Sequence, residues 1–267
     1  MKLFTLASSC LQTAAALLFP PRCPVCGEVT GSLIEGDLCK DCLTAFADKY
    51  VTICPECGRK ADSCRCAPDA VGGESTLSPF TTVLPLIFDG FYTGYEEDSP
   101  VSTLVYRMKR DDRSYAAVVF SRIIAGAVSR ELVLRKLDPA EFTVTYIPRS
   151  QSALRKYGFD HMEMAAKRVS KMLGCSYESL LCRKGGTDQK KLSTEERITN
   201  AESSISISPK KKDHVVGKKL ILLDDIITTG ATMRSAVSRL SFAGADTIIP
   251  VCAMISKTAK RSPEISE

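Results

Sequence analysis

The chain has 267 residues, of which 44% are hydrophobic and 25% are charged. This composition is typical of an ordinary globular protein and excludes fibrous and low-complexity classes. A net charge of +5 is too small to indicate nucleic-acid binding by itself. No apolar run is long enough to cross a bilayer, so the sequence predicts a protein without a membrane span.

Residues 1–20 contain Lys2 followed by an apolar stretch, a pattern that imitates a signal peptide. The stretch leads directly into metal-type cysteines, however, and its leucines fall roughly at helical spacing. We therefore expect residues 1–20 to form a helix that docks on the rest of the protein. The spaced leucines are Leu3, Leu6, Leu11, Leu17 and Leu18.

Two copies of a Cys-Pro-x-Cys-Gly knuckle follow, and each has a later pair of cysteines as a partner. Thiolates at this spacing are typical of structural Zn²⁺ sites, so residues 21–70 are predicted to form a double zinc ribbon. Disulfides would require an oxidising compartment, and an iron–sulfur cluster fits short hairpin pairs less well. The sequential sets are Cys23, Cys26, Cys39 and Cys42, then Cys54, Cys57, Cys64 and Cys66; spacing alone also permits a cross-brace.

A linker-like segment at residues 67–75 ends this module, so a second domain is predicted over residues 76–258 and a tail over 259–267. Strand and helix patterns alternate in this domain, which predicts an α/β fold with a parallel sheet. The strands are predicted at 81–88, 143–147, 220–223 and 247–255, and the helices at 101–110, 115–137, 160–173 and from 232 to about 244.

The most informative segment, residues 219–232, reads KLILLDDIITTGAT. Its apolar run predicts a strand buried on both faces, which places Asp224 and Asp225 at the carboxyl end, where parallel sheets bind ligands. The following loop has small side chains and a glycine, and a helix N-terminus beside it favours an anion. Carboxylates accept hydrogen bonds from a diol. A ribose 5-phosphate fits both halves of this site.

This segment resembles the phosphoribosyl pyrophosphate (PRPP) motif of the type I phosphoribosyltransferases. The resemblance implies that Asp224 and Asp225 hold the ribose hydroxyls, and it makes Asp225 the preferred carboxylate for proton transfer. It also implies Mg²⁺ as the companion of PRPP. The 5-phosphate would be held by Thr228, Thr229, Gly230, Ala231 and Thr232.

Nearly the whole chain is similar to the ComF family of bacterial competence proteins, which joins an N-terminal zinc module to a phosphoribosyltransferase domain. The resemblance includes residues 148–150, 154–159 and 189–193, with Arg197 and Asn200. It implies a cytoplasmic protein with a role in natural competence and DNA uptake. The possible partners are PRPP, an unknown acceptor, and single-stranded DNA or competence proteins.

One departure concerns residues 157–161, where the family usually has Arg-Gly-Phe-Asn-Gln and this chain has Tyr-Gly-Phe-Asp-His. His161 is predicted to be a surface residue at a helix N-terminus. The resemblance to phosphoribosyltransferases implies that residues 184–204 form a flexible loop that closes over the site and brings cations to the pyrophosphate leaving group. The candidate cations are Arg149, Arg155, Lys156, Lys190 and Lys191.

Three classes of function follow from these observations. The first is a PRPP-dependent transferase with an unknown acceptor, and the second is a regulator that senses PRPP without chemistry. The third is a competence accessory protein that handles single-stranded DNA. The sequence contains no helix-turn-helix or aromatic stacking motif that would decide for the third.

Overall fold

The computed structural model describes residues 18–30, 37–53, 82–83, 88–93, 100–111, 115–183, 204–227 and 230–256. The helices are α1 (Lys40–Lys49), α2 (Pro100–Arg110), α3 (Ala116–Leu134), α4 (Gln151–Tyr157), α5 (His161–Leu173) and α6 (Ala231–Phe242). The strands are β1 (Tyr50–Ile53), β2 (Thr82–Val83), β3 (Phe88–Thr93), β4 (Phe142–Tyr146), β5 (Ser176–Tyr177), β6 (Leu181–Arg183), β7 (Ile205–Ile207), β8 (Lys219–Ile227) and β9 (Thr247–Ser256).

The main sheet has the strand order β1-β3-β9-β8-β4-β5, and β2 pairs with the first residues of β9. Every pair in it is parallel except β1 with β3, and β6 and β7 form a separate antiparallel pair. The predicted parallel α/β fold is therefore confirmed. The antiparallel edge strand β1 comes from the part of the chain that the sequence assigns to the zinc module.

The buried run of β8 explains why the sheet has helices on both faces. Side chains alternate along a strand, so Ile221 and Leu223 enter one core cluster while Leu220 and Leu222 enter another. The first cluster contains buried residues from α2, α3 and α5, and the second contains those of α6. All four β8 side chains are 0% exposed, and each stabilises the fold by about 1.5–3 kcal/mol.

The zinc-type knuckle packs on helix α2. Cys23, Val25 and Cys39 belong to the same buried cluster as Leu104 and Met108 of α2. In addition, a guanidinium nitrogen of Arg107 donates to the carbonyl of Pro24 at 3.2 Å. The knuckle and the sheet domain therefore share part of one core.

The element boundaries agree with most of the sequence predictions. Helix α5 begins after the N-cap Asp160 and ends at Gly174, which has the left-handed φ of 72° expected of a C-terminal glycine. The single strand predicted at 81–88 is wrong, because two separate strands, β2 and β3, pair with opposite ends of β9. The predicted docking helix has residues 1–17 outside the described part of the chain. Within the described residues, no helix is both long and apolar enough to cross a membrane.

Candidate phosphoribosyl site and zinc centre

The acidic pair lies on β8 just beyond the point where the neighbouring strand β4 ends. Strand β4 pairs with β8 only as far as Tyr146 opposite Leu223, whereas β9 continues beside β8 to Ile227. The two residues after Leu223, Asp224 and Asp225, therefore line a cleft of about 460 Å³ on the side where β4 has ended. This is the carboxyl end of a parallel sheet, as the sequence predicts.

The start of helix α6 reaches the same cleft. Gly230 has φ 77° and ψ −7°, a left-handed conformation that a side chain disfavours, and α6 begins at the next residue, Ala231. Thr232 in the first turn of α6 lines the cleft. The free amide groups of a helix N-terminus favour an anion at this position. The predicted ligands Thr228 and Thr229 lie outside the described residues.

Asp225 makes two charge-assisted contacts through one oxygen. Its Oδ2 lies 2.8 Å from Nζ of Lys109 on α2 and 2.6 Å from Nε2 of His161 on α5. Asp225 is 8% exposed and His161 is 5% exposed, so both contacts are shielded from water. Asp224 accepts a hydrogen bond from the backbone N–H of Asp225 at 2.9 Å.

The two carboxylates differ in their affinity for protons. Burial, followed by the negative charge of Asp225, raises the pKa of Asp224 to about 7. Burial would also raise the pKa of Asp225, but the Lys109 charge and the His161 hydrogen bond outweigh it and hold that pKa below its ordinary value. The site therefore has one firmly ionised carboxylate beside one that holds a proton more readily.

Arg149 lines the cleft, but two of its guanidinium nitrogens donate hydrogen bonds to backbone carbonyls. Nη1 donates to the carbonyl of Phe159 at 3.1 Å, and Nη2 donates to the carbonyl of Lys109 at 2.5 Å. Its own backbone N–H donates to Asp160 at 2.8 Å. Burial, as the largest effect, lowers the pKa of Arg149 from its ordinary value. These contacts tie α2 to the loop after β4, and a pyrophosphate contact for Arg149 stays a prediction.

The other predicted cations are not among the described cleft residues. Arg155 and Lys156 are exposed on α4 and do not line the cleft, while Lys190 and Lys191 lie outside the described residues. The sequence interpretation missed Lys109, although the basic last turn of α2 was a visible signal. The surface position predicted for His161 is wrong, because the ring turns inward to Asp225.

The sulfur atoms of the first knuckle and of its later cysteine pair lie close together. The Sγ atoms of Cys23, Cys26, Cys39 and Cys42 all lie within 4.8 Å of one another. Tetrahedral Zn²⁺ with bonds of 2.3 Å places its sulfur ligands about 3.8 Å apart, so this set fits a zinc ion. The sequential arrangement holds for the first set, whereas the second set, from Cys54 to Cys66, lies outside the described residues.

Comparison with known proteins adds two domain matches. Residues 14–71 match the family described as "Double zinc ribbon domain", and residues 163–266 match "Phosphoribosyl transferase domain". A further similarity is to the "DNA utilization protein YhgH" of Salmonella typhi, with 25% identity over 240 residues, or 88% of this chain and 97% of that protein.

The two domain matches and the similarity to the DNA utilization proteins fit a ComF-like family. The "DNA utilization protein YhgH" of Escherichia coli K12 is 24% identical over 228 residues, covering 80% of this chain and 95% of the relative. The transferase match includes the acidic pair and the start of α6.

Solved structures with lower similarity include the purine phosphoribosyltransferase of Pyrococcus horikoshii. It is 18% identical with a TM-score of 0.32, and the match covers 54% of this chain and 79% of the purine phosphoribosyltransferase chain. An allosteric regulatory enzyme of purine biosynthesis is 20% identical with a TM-score of 0.32, over 54% of this chain and 29% of that one. The fold assignment rests on the domain match and on the sheet itself.

Proposed function

We propose that the protein binds PRPP with Mg²⁺ at the Asp224–Asp225 edge and transfers its phosphoribosyl group to an acceptor. The observation that carries the proposal is the common cleft: the acidic pair and Thr232 at the start of α6 line the same cavity. A diol and a phosphate on one sugar would satisfy both groups at once. We place this activity in the cytoplasm, where the cysteines stay reduced and bind zinc.

The residues of the cleft have distinct parts in this proposal. Asp225 accepts a hydrogen bond from a ribose hydroxyl while its ionised state favours the positive charge that develops on the sugar ring. Lys109 lies 2.8 Å from Asp225, has a flexible stem and is 33% exposed, so its ammonium can turn toward a departing pyrophosphate. Asp224, whose pKa is raised, can exchange a proton with a ribose hydroxyl or with the acceptor.

The cleft is also suited to Mg²⁺. Carboxylate oxygens are the ligands that a hard cation prefers, and Mg²⁺ in such sites is held by one or two carboxylates together with substrate phosphates. Asp224 and Asp225 supply these oxygens. When bound, the ion neutralises charge on the pyrophosphate as the bond to C1 breaks.

A role in DNA handling is the second candidate function. It is favoured by the relatives named as DNA utilization proteins, whose length this chain covers almost completely. In this alternative, the protein contributes to natural competence by binding single-stranded DNA or a competence protein. The zinc ribbon is then the surface that contacts the partner.

Calorimetry with Mg²⁺ and PRPP tests the first proposal. The double change Asp224→Asn and Asp225→Asn should weaken binding at least tenfold, because ribose hydroxyls lose their charged acceptors. The exposed surface change Asp213→Asn is the matched control and should leave the affinity unchanged. Wild-type affinity in the folded double variant would contradict the proposal.

Pyrophosphate release then separates a transferase from a sensor. The protein is incubated with PRPP and with panels of nucleobases, nucleotides and amines. Release that requires one acceptor supports transfer, whereas tight PRPP binding without release from any acceptor supports the sensor. Single-strand association that weakens with added salt and is independent of PRPP supports direct DNA handling.

A further inference from the structure

The pairing of His161 with Asp225 has no part in the proposed chemistry so far. His161 is the first residue of α5, and the helix start is held firmly. Asp160 accepts hydrogen bonds from the backbone N–H groups of Met162 and Glu163, and its other oxygen accepts from Arg149. The imidazole side chain is 6% exposed. Its position is therefore fixed by the fold and does not depend on a bound ligand.

The hydrogen bond determines which ring nitrogen carries a proton. The Oδ2 atom of Asp225 also accepts from the Lys109 ammonium, so it is an acceptor and Nε2 of His161 is the donor at 2.6 Å. Nδ1 is buried and, among the described residues, has no hydrogen-bond partner; the nearest acid is Asp160, whose Oδ1 is 3.9 Å away. These surroundings place a proton on Nε2 of His161.

Lys109 and His161 share one oxygen of Asp225, but they differ in mobility. The lysine has a long stem and is partly exposed, whereas the histidine is buried at a capped helix start. A pyrophosphate in the cleft would compete with Asp225 for the ammonium. When Lys109 moves toward it, His161 is the donor that keeps Asp225 in place.

We propose that His161 is a positioning residue, which fixes one oxygen of Asp225 so that the other faces the ribose hydroxyl of PRPP. This inference rests on the proposed PRPP site and adds the residue that orients it. His161 acts through Asp225 and does not itself touch the sugar. The inward Nε2–H is the required feature, and a glutamine amide can supply a similar donor.

Calorimetric titration of Mg²⁺ and PRPP into four proteins tests the inference. His161→Phe should bind at least tenfold more weakly than the wild type, and His161→Gln should recover most of that loss. His214→Phe is the matched control, because this second histidine is exposed and contacts Glu178 outside the cleft. Wild-type affinity in His161→Phe, or equal losses in the Phe and Gln variants, would overturn the positioning role.

The failure of the proposed function has a different outcome. If the wild type itself does not bind PRPP, both the PRPP site and this inference fail, whereas the outcomes above leave PRPP binding intact.

¹⁵N-histidine NMR adds a readout that needs no ligand. The chain has only 2 histidines, so their signals are readily assigned. We expect one Nε2-protonated ring with a strongly deshielded proton, lost in His161→Gln and shifted in Asp225→Asn. A rapidly exchanging ring proton unaffected by Asp225→Asn would also overturn the inference.

Discussion

Replacing Asp160 by alanine should destabilise the protein by about 2–4 kcal/mol. One oxygen of Asp160 caps α5 at 2.9 Å from the N–H of Met162, and loss of such a cap costs about 1 kcal/mol. The other oxygen accepts from the buried N–H of Arg149 at 2.8 Å, and leaving that donor unpaired costs about 1–3 kcal/mol more. Asp160→Asn keeps one acceptor oxygen, so we expect an intermediate loss.

Urea unfolding with zinc retained measures this loss as a change in the free energy of unfolding. Asp138→Ala is the matched control: its carboxylate caps a short exposed turn through the N–H of Ala140 at 2.9 Å. That change should cost at most about 1 kcal/mol, because water can replace an exposed cap. A loss of unfolding free energy in Asp160→Ala no larger than that in Asp138→Ala would contradict this role of Asp160, as would equal losses in Asp160→Asn and Asp160→Ala.

Three further perturbations have defined outcomes. Cys39→Ser should lower the zinc content by about one ion per chain, measured by elemental analysis; an unchanged content would contradict the four-cysteine site. Burial and a neighbouring charge raise the pKa of Asp224 to about 7, so the folded state holds the proton longer than the unfolded state and stability should fall as the pH rises from 5 to 7. Asp224→Asn should flatten that slope in urea unfolding, and an unaltered slope would contradict this origin. Gly230→Ala strains the left-handed residue that precedes α6, beside the cleft residue Thr232, and should weaken PRPP binding more than Gly158→Ala, which has a similar φ but does not line the cleft; equal calorimetric affinities would contradict this.

The sequence predicted the motif strand and its acidic pair because all the necessary signals are local. Four apolar residues, two carboxylates and a glycine follow one another between positions 220 and 230, and a strand buried on both faces needs no other context. The ends of α5 were equally visible, since Asp160 and Gly174 are common capping residues.

The contacts of the site depend on distant segments and were not predictable in the same way. His161 occupies a helix N-terminus, which by pattern alone indicates a surface residue, and its partner lies 64 residues later in the chain. Lys109 was one of several cations in a basic helix end, and nothing local shows that this one reaches Asp225. The division between β2 and β3 was not predictable for the same reason, because the limits of both strands depend on pairing with the distant strand β9.

Helix α2 contacts the cleft on one side and the cysteine module on the other, and this limits how the protein can be divided for experiments. Its Lys109 faces the cleft, while Leu104 and Met108 share a buried cluster with Cys23 and Cys39. A shortened chain that starts after the cysteine module would leave these apolar side chains in water and remove the edge strand β1 from the sheet. Loss of activity in such a fragment would therefore not distinguish disruption of the cleft from loss of a partner-binding surface.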